Sequence, residues 1–200
     1  MKRILLLGDS IRQNYQSYVK ENLAGIAEVF YPNENGRFGY YTLRYLHEWI
    51  GDLLGGGGGA DHDLFDVVHF NVGLWDVLRL KGDTGTFTGE KEYEQVLLRL
   101  YKRIRMYCPD AAVIFALTTK VREPGFAPGI TVGERRNSDI IRYNQIAERL
   151  WKDLPVTIDD LWSVSEQIKD TARSDDVHFG TEEGSRILGG AVIRCLRGYL

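Results

Sequence analysis

Only two cysteines occur in the 200 residues. Cys108 and Cys195 are too few for a disulfide framework and lack metal-site spacing, so both read as reduced thiols. No apolar run approaches the roughly 20 residues that a membrane-spanning helix needs. No excess of one charge is present either. The 25 Lys and Arg against 28 Asp and Glu leave a net charge of -3 and a pI near 5.8. That balance argues against nucleic acid or an anionic membrane surface as the main partner. Internal repeats are missing, as are a phosphate loop with its lysine, a G-x-G-x-x-G fingerprint and a G-x-S-x-G elbow. The first apolar run starts within a few residues of Met1. That leaves no room for a signal peptide and makes the cytoplasm the expected compartment.

What the chain does have is a 44% hydrophobic content, enough for one domain over residues 1–200 to bury a full core. Ile4 to Leu7 is a short apolar run that ends at Gly8-Asp9-Ser10, as a strand buried on both faces would. From Ile11 to Ala24 the apolar residues Ile11, Tyr15, Tyr18, Val19 and Leu23 recur at helix period. Further strands are expected at Ile26 to Tyr31, Asp66 to Val72, Ala111 to Leu117 and Val156 to Ile158. Helices are expected at Tyr40 to Leu54, Glu92 to Tyr107, Asn137 to Lys152 and Leu161 to Ile168, with a last one capped by Thr181. The five glycines Gly55 to Gly59 read as a surface connector. Strand alternating with helix five times predicts a parallel sheet covered on both faces, a three-layer α/β/α sandwich.

In that arrangement Ser10 sits where a central strand turns into a helix, at the sheet edge where open α/β folds bind ligands. There it is either a helix cap or a nucleophile. A nucleophilic serine needs a base, a group that orients the base, and donors for the developing oxyanion. The candidate base is His178. Asp175, three residues before it in a polar loop, can reach back to Nδ1 and hold the tautomer.

Gly8-Asp9-Ser10 near one end and Asp175-x-x-His178 near the other resemble the SGNH/GDSL hydrolases, esterases and lipases on a five-stranded flavodoxin-like sheet. The resemblance runs the length of the chain and implies Ser10, Asp175 and His178 as the catalytic triad. It also implies oxyanion donors beyond the Ser10 N–H: a glycine amide after the second strand and an asparagine after the third. Gly39 fits the first, with Gly36 as a competitor. The second departs from the family's Gly-x-Asn-Asp, because Trp75 stands in the asparagine's place in Gly73-Leu74-Trp75-Asp76. Asn71, on the same face by strand alternation, is the expected replacement.

Asp9, Asn35 and Trp75 are the expected substrate contacts, walled by the loops Leu74 to Lys91 and Thr118 to Gly133 with Phe87, Arg122 and Phe126. These loops favour a short acyl group, such as acetyl, on a carbohydrate or other polar alcohol. The alternatives are a lipase or lysophospholipase-type acylhydrolase and a non-catalytic module that binds a small ligand. No metal or organic cofactor is expected, and the oligomeric state is left open. Asp61-His62-Asp63 reads as a solvated loop, His69 as a core histidine, His47 as structural, and Arg135-Arg136 as a solvated face.

Overall fold

The computed structural model describes residues 1–53, 64–123 and 133–200. The glycine connector, Asp61-His62-Asp63, Phe126 and most of the expected loop Thr118 to Gly133 lie outside those residues. Five parallel strands form the central sheet: β1 (Lys2–Leu7), β2 (Ala27–Phe30), β3 (Val67–Phe70), β5 (Ala112–Ala116) and β7 (Val156–Asp159). Their order is β2-β1-β3-β5-β7, the flavodoxin-like order, whose direction of winding reverses between β1 and β3. Between them, β4 (Arg79–Leu80) and β6 (Gly133–Glu134) pair antiparallel as a separate two-stranded ribbon. Nothing in the sequence pattern announced that ribbon, because two residues are too few to show a period.

Helices α1 (Ser10–Asn22), α2 (Gly39–Leu53), α3 (Glu90–Tyr107), α4 (Asn137–Trp151), α5 (Leu161–Glu166) and α6 (Glu182–Leu196) complete the chain. α1 and α6 pack together, and α2, α3 and α4 form a second packed series. Right-handed crossovers deliver the two groups to opposite faces of the sheet. The strands are apolar throughout because both faces are covered: Ile4, Leu5, Leu6 and Leu7 are all at most 1% exposed. His69 lies in the same core, with Nε2 2.9 Å from Asp159 Oδ2, as a buried imidazole requires. His47, by contrast, projects from α2 into solvent. α3 begins two residues earlier than its period suggests, and the Gly89 amide donates to Glu92 Oε2 at 3.0 Å.

The loops at the C-terminal edge are stitched by a buried arginine. Arg12 Nη1 donates to Pro32 O at 2.9 Å, and Nη2 donates to Gly8 O at 3.2 Å and Glu34 O at 2.6 Å. Burial lowers its pKa to about 10. The segment after β2 is thereby held against the β1–α1 turn, and the Gly36 amide adds a 2.8 Å bond to Gly8 O. Arg12→Met keeps the length of the side chain but strands those carbonyls. It should lower the free energy of unfolding by about 2–4 kcal/mol in urea titration with an unchanged slope. A loss below about 0.5 kcal/mol would show the loop to be held by other means.

Candidate functional site

Gly8 lets two backbones meet at the switch point. Its φ is +153°, and a Cβ there would stand 2.0 Å from Asn71 Oδ1, so no side chain fits. Asp9 follows as the N-cap of α1, its Oδ1 accepting from the Ile11 amide at 2.9 Å. Ser10 is then the first residue of the helix. Its N–H has no intrahelical acceptor and lies at the positive end of the helix dipole.

The other half of the site is a turn before α6. Asp175 Oδ1 accepts from the amides of Val177 at 2.7 Å and His178 at 2.8 Å. Its Oδ2 lies 2.8 Å from His178 Nδ1, so the imidazole is oriented by its own loop. Burial tends to raise the Asp175 carboxyl, but the Val177 and His178 hydrogen bonds outweigh it and leave the group below its ordinary value. The turn is fixed from outside as well. Asn14 Oδ1 on α1 accepts from the Phe179 amide at 3.1 Å. Arg122 Nε donates to Asp176 Oδ1 at 2.7 Å. Val177 and Phe179 are buried on either side of the histidine.

These two halves meet at one contact: Ser10 Oγ and His178 Nε2 stand 2.7 Å apart. Serine, imidazole and carboxylate thus form a continuous chain, half-exposed at the C-terminal edge of the sheet. With Nδ1–H donated to Asp175, Nε2 is the acceptor for the serine proton.

Several other expected site residues are placed differently. The Gly39 amide, expected as an oxyanion donor, opens α2 and donates to both Asp76 oxygens, at 3.1 and 3.2 Å. Gly36 is no substitute, because its amide already bonds Gly8 O. Asn71, the expected second donor, gives its Nδ2–H to Asp9 Oδ1 at 3.0 Å. That N–H braces the N-cap, and the side chain is buried. Asp9 itself is 0% exposed and its Oδ1 is taken by the Ile11 and Asn71 donors, so it serves the cap in place of the substrate contact expected of it. Its burial pushes the carboxyl up, against the Asn71 and Ile11 hydrogen bonds. Asn35 Nδ2 donates to Gln13 Oε1 at 3.3 Å and its Oδ1 accepts from the Arg37 amide at 2.8 Å. Its amide braces the loop after β2 instead of standing free. Trp75 is half-buried.

Arg135 overturns the expectation of a solvated face. It is 2% exposed, while Arg136 beside it is exposed. Its Nε donates to Leu74 O at 2.6 Å, and its guanidinium lies 5.7 Å from the Trp75 ring centre. Burial lowers its pKa, opposed by the charges of Asp9 and Asp175. The one sequence signal for this was Gly133, two residues earlier. A Cβ there would stand 2.6 Å from Arg79 O, so only glycine lets β6 close on β4. No group of three or more His, Cys, Asp and Glu side chains is placed to hold a metal ion among the described residues.

The sequence matches no family model and no curated protein. Solved structures do match it. A lipase/acylhydrolase from Enterococcus faecalis has 18% identity and a TM-score of 0.70, covering 99% of this chain and 96% of its own. An acetyl xylan esterase has 18% identity and a TM-score of 0.72, covering 97% and 99%. A member of the lipolytic G-D-S-L family from Veillonella parvula has 18% identity and a TM-score of 0.64, covering 98% of each chain. The chain has the three-layer fold of these proteins.

Asp76 carries a pH signature. Burial pushes its carboxyl up to about 6, against the Thr88 side chain and the Gly39 amide. Between pH 4 and pH 6 the folded state therefore holds a proton that the unfolded state has released. Stability from this group is present below that window and is lost as pH rises through it. Asp76→Asn keeps an acceptor for Gly39 but cannot ionise. Between pH 4 and pH 7, urea unfolding should shift in the variant's favour by up to about 3 kcal/mol relative to wild type. A difference that does not change with pH would refute the assignment.

Proposed function

We propose that the chain is an SGNH-type serine esterase that hydrolyses carboxylic esters through an acyl-enzyme. The observation that carries this reading is the unbroken chain Ser10 Oγ–His178 Nε2 at 2.7 Å and His178 Nδ1–Asp175 Oδ2 at 2.8 Å. In the reaction, Ser10 Oγ attacks the ester carbonyl carbon while Nε2 takes the hydroxyl proton. The carbonyl π pair moves onto oxygen, where the Ser10 N–H donates to it. Collapse expels the alcohol, which takes its proton from His178. Water then repeats the sequence on the acyl-serine and releases the acid. Asp175 fixes the tautomer and stabilises the imidazolium formed in each half. Acyl transfer through a serine consumes no cofactor.

For the substrate we favour a short acyl group, such as acetyl, on a carbohydrate or another polar alcohol. Trp75, half-buried against the Arg135 guanidinium, offers an aromatic ring in the segment after β3. Phe38 and Phe87, from the segments after β2 and β4, meet edge to face at 5.0 Å, and Phe87 is 46% exposed. Such aromatic faces stack on sugar rings, and one of the similar structures is an acetyl xylan esterase. The lipase/acylhydrolase among them keeps longer acyl chains on the panel.

The test is turnover of nitrophenyl acetate, nitrophenyl decanoate and an acetylated sugar. Ser10→Ala should lose about 10⁴-fold or more in kcat, and Asp175→Asn about 10³–10⁴-fold. A fluorophosphonate should label Ser10 in wild type and fail in His178→Ala. Equal turnover by wild type and Ser10→Ala would remove the serine from the chemistry. Decanoate turned over faster than acetate would replace the substrate class.

A further inference from the structure

Of the oxyanion donors expected from sequence, the Gly39 amide is taken by Asp76, and one of the two N–H groups of the nearly buried Asn71 amide is taken by Asp9. The Ser10 N–H with at most that second Asn71 N–H is a thin provision for a full negative charge developing on the carbonyl oxygen. Against the Leu74 carbonyl, just after β3, a cation is buried without an ion pair. Arg135 makes one hydrogen bond, through Nε to Leu74 O, and its Nη1 is buried with no partner among the described residues. Burying a guanidinium without a counter-ion is costly, and such a group is stabilised when an anion arrives. The carboxylates whose charges reach it are Asp9, which precedes Ser10, and Asp175, which holds His178. Neither is paired with it by contact: no ion pair of 4.0 Å or less joins either to Arg135 among the described residues.

We propose that Arg135 is the missing oxyanion donor, its unpartnered guanidinium edge hydrogen-bonding the negative oxygen formed when Ser10 adds to the ester carbonyl. The proposal rests on the Ser10 esterase reading. The three parts of its placement are visible in the fold. Gly133 lets β6 press against β4, the Leu74 carbonyl anchors Nε, and the Trp75 ring supports the guanidinium from one side. Trp75 occupies the position where the G-x-N-D pattern would put its asparagine. The chain thus has a ring there that supports a cation in place of an amide that donates directly. When the tetrahedral adduct collapses, the electron pair returns from oxygen to the carbonyl, the C–O bond to the alcohol breaks, and Arg135 keeps all its protons. The free carboxylate product carries the same charge in the same place and serves as a stable probe.

Two measurements on Arg135→Met and Arg135→Lys test this. The first is kcat and KM on nitrophenyl acetate. Arg135→Met should lower kcat by about 10²–10³-fold with KM within about threefold, as loss of a donor used only in the transition state does. Arg135→Lys, which keeps the charge, should recover at least about tenfold of that. The second is acetate binding by calorimetry in a Ser10→Ala background, which needs no turnover. Adding Arg135→Met should weaken acetate at least about tenfold. Unchanged acetate affinity, or kcat within threefold of wild type, overturns the proposal while leaving the serine reading intact. Equal activity of wild type and Ser10→Ala marks instead the failure of that reading. A lower Tm with kcat and acetate affinity at wild-type levels makes Arg135 only a brace for Leu74 and also overturns it.

Discussion

One hydrogen bond, between Ser10 Oγ and His178 Nε2, joins residues 168 positions apart. Everything else at the sheet edge is arranged around keeping that contact short. It exists because α1 and α6, the helices that follow the two residues, pack against each other on the same face of the sheet. The approach is close: a Cβ on Gly189 of α6 would stand 2.6 Å from the Tyr18 ring of α1. Asn14, one turn along α1 from Ser10, reaches across to the Phe179 amide. The helix that presents the serine therefore also holds the loop that presents the histidine.

Beneath Ser10 lies a layer of buried polar groups with unusual demands. Asp9, Arg12, Asn71, Asp76 and Arg135 are all nearly or wholly removed from solvent. Such groups are tolerated only where each finds hydrogen bonds, and here they find them mainly in one another and in loop carbonyls. Asp9 caps the helix and receives Asn71; Arg12 collects three carbonyls; Asp76 receives the start of α2. This layer ties the segments after β1, β2 and β3 together, and it decides which donors remain free above it.

How much of this could be read beforehand varies by residue. The five strands, their parallel pairing and the serine's position followed from apolar runs and helix periods, because burial on both faces leaves a strong pattern. The closeness of Asp175 to His178 was legible for a different reason: a three-residue spacing constrains a turn locally. The fates of Gly39 and Asn71 were not legible. Both were chosen for the right edge of the sheet, but which acceptor a donor takes depends on Asp76 and Asp9, side chains brought in by tertiary structure. Arg135 was hidden by its neighbour. Two adjacent arginines in a polar stretch look alike in sequence, and only the ribbon of β4 and β6 turns one inward.

The Asp175 turn separates two kinds of precision in this molecule. Asp175 and His178 sit three residues apart and share two hydrogen bonds, with a third from Val177 between them, so their mutual geometry is set by local chain closure. The serine is set by the sheet. Of the two distances in the chain from Ser10 to Asp175, one is insensitive to how the layers shift and the other follows it. Small changes in helix packing far from the site would thus alter the Ser10–His178 distance without disturbing the Asp175–His178 pair. In a lineage that drifts in its packing residues, variation would collect along that single coordinate, while Asp175 and His178 travel intact as a cassette.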